Sequence, residues 1–261
     1  MTNSCDLDSE IHVWFLSTRE FSQCDVRGFY DTILNWEEKK RANRLLVKES
    51  KKQFIVSRYF LRSVLSSYVD CSPRRVSLGL GRHNKPVLLK QSSTGEIFFN
   101  LSHSENKCAL VISKQEALGI DLEGNEKVRR FNSLSKRYFS ASEHESIVKL
   151  ELREKCERFY QLWTLKESYA KASGNSLPVS LGKTSFSFDG EHINFEREGD
   201  HRLSSNECCF LILHGIPGFN VSIAVLTDDM KTFSGLGLKS FEFFSMDRHE
   251  ALDLMLKRIL N

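Results

Sequence analysis

Apolar residues in this chain run together over short stretches and recur at helical spacing over longer ones, and the change of period marks out the elements. Ile11 to Leu16 is an apolar run of strand length. From about Leu34 to Val69, Leu45, Phe54, Ile55, Leu61 and Leu65 keep helical spacing over a length that predicts two helices, and Ser72-Pro73 ends them. Short runs at Val76–Leu80, Pro86–Leu89, Ile97–Leu101 and Cys108–Ile112, separated by Gly, Asn and Ser, predict sheet strands. At Leu118 the pattern begins again, with a strand to Glu123, helical segments to Ala172 closed by Gly174-Asn175, and a strand-rich region from Thr184 to Leu226. Met246 to Leu260 places Leu252, Met255, Leu256 and Ile259 on one helical stripe and predicts a terminal helix. The expected architecture is α+β: one half over 1–117, a second over 118–245, and a helix over 246–261, with no low-complexity linker between the halves.

Composition narrows the chemistry only a little. The 261 residues are 40% hydrophobic and 27% charged, enough for a real core, and Lys and Arg exceed Asp and Glu by only three, which argues against nucleic-acid binding while allowing an anionic small molecule or an acidic partner. Seven cysteines without a C-x-x-C pair indicate neither a disulfide framework nor a zinc site and fit a reducing cytoplasm. The first ten residues are polar and acidic, unlike a signal peptide, and no apolar run reaches membrane-spanning length, so a soluble cytoplasmic protein is expected.

Two segments carry candidate chemistry. In Gly119-Ile120-Asp121-Leu122-Glu123, strand alternation turns Asp121 and Glu123 to the same side. In Trp163-Thr164-Leu165-Lys166-Glu167-Ser168-Tyr169-Ala170-Lys171, the spacing of four puts Trp163, Glu167 and Lys171 on one helix stripe. Three carboxylates suit a hard cation such as Mg²⁺ that completes its shell with phosphate oxygens, and the lysine would face the developing charge. Either segment alone has an ordinary explanation, a solvated strand end or the commonest helix-surface pair. Upstream, Arg41, Arg44 and Lys48 make one helix face cationic, and Asn100-Leu101-Ser102-His103 ends a strand with an amide, a hydroxyl and an imidazole. Ser140-Ala141-Ser142-Glu143 has the form of a capping box, so Glu143 is read as a helix-start residue and not as a metal ligand.

Taken in order, Asn84-Lys85-Pro86, Asn100-Leu-Ser-His103, Gly119-Ile-Asp-Leu-Glu123 and Trp163-x-x-Lys-Glu167-x-x-x-Lys171 form a series that closely resembles the 4′-phosphopantetheinyl transferases of the surfactin-synthetase-activating type, over about Glu37 to Gly174. The resemblance implies a holo-carrier-protein synthase that moves the phosphopantetheine arm of coenzyme A onto a serine of an apo acyl or peptidyl carrier protein, with Mg²⁺, releasing adenosine 3′,5′-bisphosphate. It implies a monomer of two similar halves related by a pseudo-twofold axis, with coenzyme A in the cleft between them. Carried over by position, Asp121, Glu123 and Glu167 would hold Mg²⁺, Glu167 would also take the serine proton, and Lys171 would donate to phosphate oxygens. Arg41, Lys85, Asn100, Ser102 and His103 would hold the coenzyme A. Asn84 stands where the family usually has Gly, and Leu101 where it usually has Ile; neither change removes a chemical group.

Three other readings compete. A Mg²⁺-dependent phosphodiesterase or nuclease would need a more basic chain than a net charge of +3 provides. A non-catalytic coenzyme A or carrier-binding module would have no need to keep every carboxylate and Lys171. A thioesterase or acyltransferase would need Ser102 and His103 to meet, whereas neighbours on a strand point apart.

Overall fold

The computed structural model describes residues 7–81, 85–89, 95–125, 130–175, 181–189, 192–197, 208–227 and 237–260, with the backbone alone at 192 and 255–260. Asn84 lies outside the described residues. The chain divides into two compact units, one of residues 1–114 with 238–252, the other of 115–237 with 253–261.

The first unit begins with β1 (Glu10–Ser17), followed by α1 (Gln23–Thr32), α2 (Trp36–Arg44), α3 (Lys48–Tyr68), the short hairpin β2 (Leu78–Leu80) and β3 (Pro86–Leu88), then β4 (Phe98–Ser104) and β5 (Lys107–Ser113). Helix α1 starts at a capping box, Ser22 with Asp25, and α2 at another, Asn35 with Glu38, so exposed amide donors at both starts are satisfied by short polar side chains. The three non-helical residues Leu45, Leu46 and Val47 divide the predicted helical stretch in two. Along α3 the residues Ile55, Val56, Tyr59, Phe60, Val64 and Leu65 are buried together with Leu16 of β1 and Leu110 and Ile112 of β5, forming one core. Cys108 to Ile112 are wholly buried, as befits a strand with neighbours on both edges: β5 pairs antiparallel with β1 and with β4.

In the second unit β6 (Ala117–Gly124) leads to α4 (Phe131–Tyr138), α5 (Ala141–Val148) and α6 (Leu152–Ser173), then to the hairpin β7 (Thr184–Asp189) and β8 (His192–Arg197) and the strands β9 (Cys208–His214) and β10 (Phe219–Leu226). The chain then returns to the first unit as β11 (Gly237–Ser245) and β12 (Arg248–Leu252), and ends in the second as β13 (Met255–Leu260). The first unit's sheet is thereby β12-β11-β1-β5-β4 and the second's is β13-β9-β10-β6, whose neighbouring strands all run antiparallel. Helix α6 packs across β6 and β10 over a core that includes Phe159, Leu162, Leu165, Tyr169, Phe210, Ile212 and Ala224. It stops at Gly174, whose φ of +66° is a left-handed closure that glycine adopts without strain.

The α+β class stands, and three expectations are corrected. Residues 246–261 contain strands, not a helix. The apolar spacing there fits a helix, but the backbone groups of 255–260 pair with the open edge of β9, and that partnership outweighs local spacing. Residues 238–252 belong to the first unit's sheet and not to the second half. Helix α1 was not foreseen, because only Val26 in it is fully buried and its polar surface hides the period. Among the described residues, no helix is long and apolar enough to cross a membrane.

Candidate active site

The second unit brings the two motif segments together. Strand β6 carries Asp121 opposite Ser222 and Glu123 opposite Asn220 of β10, and α6 lies directly on that strand. Gly119 permits the approach: a methyl group there would stand 2.1 Å from the Ser168 carbonyl oxygen and 2.7 Å from the Ala172 amide nitrogen, so only a bare backbone fits beneath the helix. A buried hydrogen bond of 2.7 Å between Thr164 of α6 and Ser222 of β10 ties the helix to the next strand.

This close seating puts Lys171 over the strand. Its Nζ stands 2.6 Å from Oδ1 of Asp121 and donates to the Ile120 carbonyl at 3.0 Å. Asp121 is 2% exposed, so the pair sits where water screens little and the attraction counts for more than at a surface. One turn earlier on the same stripe is Glu167. Burial pushes its carboxyl up to about 7, reinforced by the negative charges of Asp121 and Glu123 and opposed by Lys171 and by a hydrogen bond from Trp163. Asp121, Glu123, Glu167 and Lys171 thus act on one another electrostatically. Trp163 is held against Phe159, with ring centroids 5.8 Å apart.

Next to Glu167, but facing the opposite way, Lys166 is fully buried against the fully buried Glu143 at 2.9 Å. Lys166 also donates to the carbonyls of Leu181 and Thr184, while Glu143 accepts from the Phe186 amide at 2.8 Å and completes the capping box of α5. Every charge in this pair has a partner, which is the condition for a buried ion pair to be tolerated. Glu143 is a helix-start residue, and it is also the counter-ion that fixes α6 to α5 and β7. No spacing rule in the sequence pointed to this second role.

A hard cation suits the donor set. Three carboxylates, two of them raising the proton affinity of the third, form a site that a positive charge relieves, and the Lys171 ammonium on Asp121 already supplies part of that relief. Among the described residues, no three His, Cys, Asp or Glu side chains stand gathered as a finished metal cage.

In the first unit, Asn100 and Ser102 are buried on β4 and His103 is exposed, so Ser102 and His103 point apart as strand geometry requires. The His103 ring lies 3.5 Å from the amide of Gln53 on α3. Arg41 of α2 and Arg58 of α3 both stack on Phe54, their guanidinium carbons 5.2 and 5.3 Å from the ring centre. Arg58 is packed into the first unit on the Phe54 ring. Its Nε is buried without a hydrogen-bond partner, and burial, with the charges of Arg41 and Arg62 beside it, lowers its proton affinity against the pull of Glu38. Arg62, by contrast, is consumed by Glu38 at 2.9 Å and the Val76 carbonyl at 2.8 Å. Lys85 is half-buried, its carbonyl bonded to the Gly81 amide at 2.8 Å.

Two family models match the chain, described as the 4′-phosphopantetheinyl transferase superfamily over residues 117–223 and the N-terminal part of 4′-phosphopantetheinyl transferase over residues 22–115. The chain is 32% identical to the 4′-phosphopantetheinyl transferase HetI of Nostoc sp. over 171 residues, covering 66% of this chain and 71% of that one. It is 23% identical to the 4′-phosphopantetheinyl transferase Sfp of Bacillus subtilis over 215 residues, 81% of this chain and 90% of the relative. The human L-aminoadipate-semialdehyde dehydrogenase-phosphopantetheinyl transferase is 28% identical over 158 residues, 58% of this chain and 51% of that one. The first model spans the strand of Asp121 and the helix of Glu167 and Lys171, the second spans the arginines on Phe54, and the identity to HetI runs across two thirds of the chain, so this protein belongs to the 4′-phosphopantetheinyl transferase superfamily.

Proposed function

We propose that this enzyme transfers the 4′-phosphopantetheine arm of coenzyme A to a serine hydroxyl of an apo acyl or peptidyl carrier protein, releasing adenosine 3′,5′-bisphosphate. The observation that carries the reading is the set formed by Asp121, Glu123, Glu167 and Lys171, in which Asp121 and Glu123 raise the proton affinity of the buried Glu167 beside a lysine able to donate. Asp121, Glu123 and Glu167 would hold Mg²⁺. When bound, the ion would neutralise charge on the pyrophosphate of coenzyme A.

The remaining chemistry belongs to the chain. The serine oxygen forms a bond to the β-phosphorus, the bond from that phosphorus to the bridging oxygen breaks, and the electron pair leaves with the nucleotide. Glu167 takes the serine proton; beside a bound cation its carboxyl would stay ionised and so able to accept it. Lys171 donates to the phosphate oxygens as their charge shifts toward the leaving group. Arg41 and Arg58 offer stacked guanidinium groups to phosphate, with the buried Arg58 Nε as a waiting donor. Lys85, Asn100, Ser102 and His103 complete the coenzyme A contacts in this reading. The protein acts as a cytoplasmic monomer in the same reading.

The test is intact-mass analysis of apo carrier proteins incubated with the enzyme, coenzyme A and Mg²⁺. Each active carrier should gain one phosphopantetheine arm, and the gain should vanish when the acceptor serine is replaced by alanine. Absence of the gain with carriers of fatty-acid, polyketide and nonribosomal-peptide type would reject the reading.

A further inference from the structure

A cavity of about 730 Å³ opens in the first unit between α1, the end of α2 and the first two turns of α3. Four of its lining side chains are cationic, Arg27, Lys48, Lys51 and Lys52, and among the described residues no Asp or Glu lines it. Its floor is apolar, formed by Val26 and Ile55. Its wall is already ordered: the Asn43 amide donates to the Tyr30 hydroxyl at 2.8 Å, Lys51 donates to the Asn43 carbonyl oxygen at 3.0 Å, and the Lys39 and Lys51 ammonium groups lie 5.4 and 5.8 Å from the Tyr30 ring centre.

Charge converges here to an unusual degree for this chain. Residues 36–52 contain seven Lys and Arg against three Glu, a surplus of four, whereas the whole protein carries only +3. One of those glutamates, Glu38, is spent on Arg62 and on the cap of α2. Arg27 has a partner in Asp31, but at 4.0 Å with both side chains exposed, a pairing that solvent weakens. Like charges around one concavity repel, and an anion in that concavity removes the repulsion.

The cavity is separate from the groups assigned to coenzyme A. Lys48, Lys51, Lys52 and Ile55 follow the i, i+3, i+4, i+7 stripe of α3, and neither Phe54 nor Arg58 of the same helix is among the residues that line the cavity. Neither Arg41, Lys85, Ser102 nor His103 lines it.

We propose that this cavity is a second anion site, one that binds a small organic molecule carrying two or more phosphate groups, its body on Val26 and Ile55 and its phosphates among Lys48, Lys51, Lys52 and Arg27. The volume falls within the range of small-molecule sites, and separated lysine ammoniums suit several phosphate oxygens better than one planar carboxylate.

Calorimetric titration of the full chain with sodium tripolyphosphate at low salt tests the site. A binding event should persist in Arg41→Ala/Arg58→Ala and weaken at least about tenfold in Lys48→Gln/Lys52→Gln, with citrate binding much more weakly than tripolyphosphate. In the unaltered protein, tripolyphosphate should also protect Lys48 and Lys52 from acylation, read by peptide mass spectrometry, which keeps the test independent of any variant's folding. The proposal is overturned by unchanged affinity in Lys48→Gln/Lys52→Gln, by loss of all binding in Arg41→Ala/Arg58→Ala, by no binding at all, or by equal affinity for citrate.

Discussion

Asp121 carries the tightest contact of the candidate site, its carboxylate 2.6 Å from the Lys171 ammonium, so any divalent cation that takes this carboxylate must share it with the lysine or displace it. Asp121→Ala should therefore abolish holo-carrier formation without unfolding the chain; near-normal turnover in Mg²⁺ would remove Asp121 from the site. Lys171→Ala should lower kcat by roughly 10² to 10³ if one transition-state donor is lost, and should also lower the Mg²⁺ concentration needed for half-maximal rate, because the competing cation is gone. Glu167→Gln should move that requirement the other way. An unmoved Mg²⁺ curve in both variants would mean that neither residue meets the ion. Glu167 also predicts a pH dependence. Its carboxyl sits at about 7 in the folded chain against 4.5 as the ordinary value, so the folded form holds the proton more tightly. The stability this brings is complete below the unfolded value and is lost as pH rises through about 7, about 3 kcal/mol in the absence of divalent cations. Melting temperature in chelator should fall across pH 5 to 8, and Asp121→Asn, which removes one repelling charge, should flatten that slope.

At the scale of elements, the site depends on how closely α6 lies on β6. Gly119→Ala would drive a methyl group into the Ser168 carbonyl, so the helix must lift by an ångström or more and Lys171 must lose its reach to Asp121. The expected result is a folded protein destabilised by on the order of 1–3 kcal/mol, with turnover reduced at least about tenfold, since overpacking strains the core and small misplacements of catalytic groups are costly; unchanged turnover would show that the seating is not required. Strand β6 and helix α6 were legible in the sequence because a run of alternating residues and a stripe at spacing four report their own geometry. So were the cap at Ser140 and the stop at Gly174. Three features were not legible: the Glu143–Lys166 pair, the stacking of Arg41 and Arg58 on one phenyl ring, and the strand character of 255–260. The ion pair, the strand pairing and the reach of Arg41 to Phe54 join residues of different elements, and no local period records a partner that only the fold supplies; Phe54 and Arg58, four apart on α3, are the one local pair among them.

Across the whole molecule, the first unit is discontinuous in sequence. Phe243 of β11 is buried in its core beside Phe60, and Trp14 of β1 stacks on Phe241 with ring centroids 4.4 Å apart. A fragment of residues 1–114 should accordingly be aggregation-prone and lack cooperative melting, even though it holds every one of the unit's helices, and truncation after residue 237 should harm it as badly; a cooperative melt from the short fragment would contradict this. The same arrangement sets a timetable for biosynthesis. Residues 1–114 leave the ribosome long before residue 238 is made, and at ordinary elongation rates of about 5–20 residues per second the nascent unit waits several seconds or more with the Trp14 face and one edge of β1 open. During that interval the growing chain presents an apolar strand edge to its neighbours, so lower expression temperature or added chaperone should raise the yield of native enzyme.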